Sequence, residues 1–79
     1  MGNRPMKQRT ERVRNLIVQI LQEAGTPLTP KIIAHKVDST TNMRCSVYRV
    51  GLALRPLVLK GDIIKTPIVG THKFTYELI

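Results

Sequence analysis

Cysteine, aromatic side chains and negative charge are all scarce in this chain. The one cysteine, Cys45, excludes an internal disulfide. Cys45 and the two histidines, His35 and His72, have no spacing of the kind zinc sites use, so no metal is expected. With one Phe, two Tyr and no Trp, the core must be built from aliphatic side chains. No apolar run approaches the roughly 20 residues of a membrane-spanning helix. The basic start "MGNRPMKQR" is not followed by a signal-type apolar stretch. The expectation is an intracellular protein with no membrane partner, cytoplasmic (nucleoid-associated) or nuclear. Paired carboxylates and phosphate-cradling glycine loops are missing too. Cys45, His35 and Asp38 lie close in sequence, but a nucleophile needs an oriented base in a pocket. So small a chain leaves little room for one. Neither enzymatic activity nor a cofactor is expected.

What is abundant is positive charge. Thirteen Lys and Arg stand against five Asp and Glu, a net charge of +8 with a pI of about 10.4. On 79 residues, room for one domain, such a surplus favours a polyanionic partner, nucleic acid ahead of an anionic membrane surface. Hydrophobic content of 42% is ample for folding.

Residues 1–9 carry Arg4, Lys7 and Arg9 around Pro5 with no apolar periodicity, and read as a flexible basic arm. Residues 10–79 read as the folded domain. Thr10 is suited to cap a first helix, in which Val13, Leu16, Ile17, Ile20, Leu21 and Ala24 form the buried stripe. Gly25 ends it. "TPLTP" forces extended geometry around Leu28, the apolar anchor of a short bridge or strand. Thr29 caps a second helix that opens on Pro30 and runs to about Val37, burying Ile33, Ala34 and Val37. "DSTTN", residues 38–42, has turn and cap chemistry, with Thr41 or Asn42 as cap of a third helix. The apolar positions of that helix are Met43, Val47, Val50, Leu54 and Leu57, and Gly61 is placed to stop it. Pro56 lies inside it, so a bend or break is expected near residues 54–56, with the Leu52 carbonyl freed. Phe74, Tyr76 and Leu78 then alternate with polar residues as a strand, paired with Ile63 to Lys65 around a tip from Pro67 to His72.

This order resembles the winged helix-turn-helix family. The residues that carry the likeness are "GTPLTPKIIAHKV", with its Ile33-Ala34 pair and Val37, the spacing Leu54-x-x-Leu57-x-x-x-Gly61-x-Ile63, and "YEL" at the end of the last strand. It spans residues 10 to 78. The resemblance implies an α+β fold, a small winged helix-turn-helix of three helices and a C-terminal β-hairpin wing. It also implies a double-stranded DNA-binding protein, a transcriptional regulator or architectural factor, with the third helix in the major groove and wing and arm on the backbone.

The residues can be held against that mechanism. Arg44 and Arg49 are the first candidates for guanine or phosphate, because a guanidinium donates a bidentate fork. Tyr48 and Arg55 flank them. Lys65 and Lys73 suit a wing on the backbone, and Lys31 sits at the second helix's start, where amides can help hold a phosphate. Arg4, Lys7 and Arg9 complete the set. His35 and His72 are read as solvated. Cys45 and Leu52 fall on the same outward face and suit DNA poorly. They and Ile32 point to an alternative, a winged-helix module that docks on protein or forms a homodimer. RNA binding is a third use of the same charges, weakened by the lack of aromatics for base stacking.

Overall fold

A computed structural model describes residues 5–41 and 44–79, with side chains from Thr10 onward, in the order helix, helix, helix, hairpin. It is an α+β domain. The helices are α1 (Pro5–Ala24), α2 (Pro30–Thr41) and α3 (Val47–Lys60), and the strands are β1 (Ile63–Pro67) and β2 (Phe74–Leu78).

The core is aliphatic, as the lack of aromatics requires. Its largest fully buried side chains are Ile17, Ile33, Leu54, Ile63, Val13, Val37 and Val50, each contributing about 1.5–3 kcal/mol on burial. They come from all three helices and β1, which share one core. The strands pair antiparallel, Ile63 opposite Leu78 and Pro67 opposite Phe74. Leu28 extends this sheet from the other side. Its amide donates to the Tyr76 carbonyl at 3.0 Å and its carbonyl accepts from the Tyr76 amide at 2.8 Å.

The caps follow the local chemistry at three ends. Gly25 (φ 65°) follows α1, its amide donating to the Leu21 carbonyl. The Thr29 hydroxyl accepts from the Ile32 amide at the start of α2. At the end of α3, Gly61 (φ 93°) donates to the Val58 carbonyl and the Asp62 amide to that of Leu57, a double closure that turns the chain into β1.

Several boundaries differ from the sequence expectation. α1 begins at Pro5, a favoured first helical residue, and not at a Thr10 cap, so residues 5–9 extend the helix where an arm was expected. Arg4 lies outside the described residues, as do the side chains of Lys7 and Arg9. α2 continues past Val37 through residues expected to turn. The hydroxyls of Ser39, Thr40 and Thr41 donate to the carbonyls of His35, Lys36 and Val37, four residues back, and so are satisfied inside the helix. Ser46, not Thr41 or Asn42, caps α3, its hydroxyl accepting from the Arg49 amide at 3.1 Å. Asn42 and Met43 lie outside the described residues. Arg44 and Cys45 therefore precede α3. Cys45 is buried, its amide held by the Asp38 carboxylate, and it is not on an outward helix face. Val47, expected in the core stripe, is half exposed as the first residue of α3, and Ala53 takes a core position instead. β1 reaches Pro67, so the hairpin connection is residues 68–73.

The expected break at Pro56 does not occur. α3 stays helical from Val47 to Lys60, although its proline has no amide to offer the Leu52 carbonyl. Both flanks are held: Val50, Ala53 and Leu54 are fully buried before the proline, and the Gly61 closure secures the end. The adjacent Ala53 carbonyl takes the Arg14 guanidinium, whose Nε donates across from α1 at 2.7 Å.

Two glycines should respond in opposite senses to alanine. A Cβ at Gly51 would meet only the Tyr76 hydroxyl, 3.9 Å away, so Gly51→Ala should stabilise the domain by about 0.5–1 kcal/mol. Gly61→Ala forces an L side chain into left-handed backbone and should cost about 1–2 kcal/mol. Urea unfolding of both variants beside the parent checks the signs; equal midpoints for the two would contradict this account.

Candidate nucleic-acid interface

Three neighbouring depressions run along one side of the molecule and meet at Phe74. In the first, Thr29 and Lys31 at the start of α2 and Val47 at the start of α3 face His72 and Lys73 of the hairpin. The second lies over the hairpin itself, between Lys65, Pro67, Thr71 and Lys73. The third is a groove between α3 and the sheet, bounded by Leu52, Arg55, Leu59, Lys65 and Tyr76.

The strand register explains why the hairpin offers cations here. Lys65 pairs with Tyr76 and Pro67 with Phe74, and paired residues of antiparallel strands share a face. Lys65 Nζ accordingly rests 4.1 Å from the centroid of the Phe74 ring, a cation–π contact, while Phe74 meets Tyr76 edge-on at 5.3 Å. Turn hydrogen bonds shape the connection: the Thr71 hydroxyl donates to the Ile68 carbonyl and accepts from the Lys73 amide.

Charge is segregated. Among the described residues, no carboxylate lines any of these three depressions. Glu23 lies in a different one, between α1 and α2, with His35 and Lys36. Glu77 lines another beside the end of α1. Asp38 is engaged by the Cys45 amide, and Asp62 pairs with Lys60 at 3.3 Å. The N-terminal ends of α2 and α3, both at the first depression, add the positive poles of their dipoles to Lys31 and Lys73. A surface of one sign concentrates counter-charged ligands.

The structure brings Lys31, Lys65 and Lys73 together, with Arg55 joined to them through the groove and His72 among them. Tyr48 stands 75% exposed at the groove's edge. Arg44 is exposed on the segment before α3. Arg49 is half-buried, close enough to Cys45 for its charge to favour the thiolate, and lines none of the three depressions. Leu52 is in the groove and Ile32 is half exposed on α2. Leu59 and Phe74 are constituents the sequence reading passed over. Leu59 continues the spacing Tyr48, Leu52, Arg55, and that periodicity was there to be read.

No family model, curated protein or solved structure matches the chain. Among the described residues, no cluster of three or more metal-ligating side chains is present, and no helix is long and apolar enough to cross a membrane.

Two titrating groups sit at the core's margin. Burial pushes the Cys45 thiol above its ordinary value, the Asp38 carboxylate adding to the rise and Arg49 opposing it. Burial likewise raises the Tyr76 phenol. Both favour the neutral form in the folded state more than in the unfolded chain. Their contribution is therefore intact below the ordinary thiol range, about 8.5, and is lost as pH climbs through the raised values. Urea midpoints should hold between pH 7 and 8 and fall at higher pH, with Cys45→Ala removing the earlier part of the decline. Midpoints that rise with alkaline pH would refute the assignment.

Proposed function

We propose that this protein binds double-stranded DNA as a winged helix-turn-helix domain, with β1–β2 as the wing. One observation carries the reading: the starts of α2 and α3 and the hairpin tip converge on a face lined by cations, without a carboxylate among the described residues. Lys31, Lys65 and Lys73 are spread across it as a duplex backbone requires, and Arg55 continues the row. α3 presents Tyr48 and its N-terminal turn, with Arg44 just before, to the groove of the duplex. Three helices followed by a hairpin is the layout that the sequence resemblance implies. Sequence preference would come from Arg44 and Tyr48, while the lysines add affinity for any sequence. Such a protein belongs where DNA is, in the nucleoid or the nucleus, as a regulator or architectural factor. Duplex is favoured over single-stranded RNA because Tyr76 is buried and Phe74 is covered by Lys65, which leaves Tyr48 as the one open ring, too few for a platform that stacks successive bases.

The experiment is a salt titration of binding to a random duplex. Log K should fall steeply and linearly with log salt, and Lys31→Ala and Lys73→Ala should each reduce the slope by about 1. Lys36→Ala, on the face that carries Glu23, should leave the slope unchanged. No binding at low salt, or an equal effect of Lys36→Ala, would sink the proposal.

A further inference from the structure

The groove between α3 and the hairpin carries more apolar surface than a phosphate backbone calls for. Tyr48, Leu52, Arg55 and Leu59 follow at helical spacing and form a second stripe on α3, opposite the core residues Val50 and Leu54. Tyr48 is 75% exposed, Leu52 48% and Leu59 77%, so folding leaves about half or more of each uncovered. Gly51 deepens the groove beside it, since the missing side chain leaves the Tyr76 hydroxyl as the nearest atom. The cavity measures about 450 Å³, room for several aliphatic side chains. Single exposed apolar residues are ordinary, whereas a contiguous apolar trough rimmed by charge marks a docking site.

The rim decides the occupant. Its charged groups are Arg55 and Lys65, and among the described residues no acid lines the trough. A second copy laid face to face would bring Arg55 and Lys65 against their own equivalents, in a molecule of net charge +8. A nucleic-acid backbone matches the charge but leaves Leu52 and Leu59 against phosphate. An amphipathic helix with apolar side chains on one stripe and carboxylates beside it satisfies both features. We propose that this groove docks an acidic amphipathic helix of a partner protein, its apolar stripe over Gly51 between Leu52 and Tyr76 and its carboxylates on Arg55 and Lys65. The proposal does not rest on DNA binding: Arg55, Lys65 and Tyr48 serve both readings, but Leu52 and Leu59, which decide the occupant, have no part in holding phosphate.

The probe is a fluorescein-labelled designed peptide of about four helical turns, with leucines at i, i+3, i+4 and i+7 and glutamates beside them. Two control peptides scramble the leucine positions or replace glutamate by lysine. Anisotropy should show saturable binding of the acidic peptide alone, and amide chemical shifts should move along residues 47–59 and at Lys65 and Tyr76. Leu52→Glu, Leu59→Glu and Arg55→Glu should each weaken binding by about tenfold or more, while Lys36→Ala leaves it unchanged. Leu52 and Leu59 are exposed, so unchanged far-UV circular dichroism is expected and keeps a loss of binding interpretable. The proposal is overturned if the acidic peptide does not bind, or if the scrambled or lysine peptide binds equally well. Shifts confined to Lys31 and Lys73 would likewise overturn it, as simple charge attraction. Sedimentation showing a dimer abolished by Leu52→Glu would assign the groove to a second copy instead.

Discussion

The pairing of Leu28 with Tyr76 holds the cationic face and the adjoining groove of this molecule in place. Two backbone hydrogen bonds, 3.0 and 2.8 Å, join the α1–α2 connection to the middle of β2. A two-stranded hairpin is marginal by itself in water. Here it gains a third partner from the helical part of the chain, and the Tyr76 ring is buried against the core. With Tyr76 fixed, its neighbours are fixed too: Phe74 against the Tyr76 ring, Lys65 over Phe74, and the hairpin tip beside the starts of α2 and α3. Both the cationic face and the apolar groove exist because this link sets where the hairpin stands.

α3 serves two masters through one period. Val50, Ala53 and Leu54 face inward, and Tyr48, Leu52, Arg55 and Leu59 face outward. A proline in the interior of such a helix costs on the order of 3 kcal/mol, yet the helix continues. Local propensity loses because fully buried side chains precede Pro56 and a double carbonyl closure follows it. The Arg14 bond to Ala53 ties the same turn to α1. That bond joins residues 39 positions apart, and nothing in the neighbourhood of either residue announces it.

Much of the fold was legible, and the reasons differ by element. The stripes of α1 and α2, the Thr29 cap, the glycine stops and the alternation of β2 are local signals, decided by steric and hydrogen-bonding needs within a few residues. The boundaries that misled were places where a residue has two local solutions. Ser39, Thr40 and Thr41 can satisfy their hydroxyls in a turn or by bonding back along a helix, and here they bond back to the carbonyls of His35, Lys36 and Val37. Moving the cap of α3 to Ser46 lifted Cys45 off the helix face and into the core, which removed it from the exposed apolar set.

By itself, the sequence determined the aliphatic character of the core, the order of elements and the excess of positive charge, because each follows from residue type and short-range spacing. Tertiary structure decided which charges act together. Lys31, Lys65 and Lys73 lie far apart in the chain and meet only because the hairpin folds back beside two helix starts. Arg49, prominent in the sequence, is half-buried on α3 and lines none of the three depressions. A charge's range through solvent is about 8–10 Å, so distance in space, which only the packing of the core sets, determines whether cations form a surface or stay solitary.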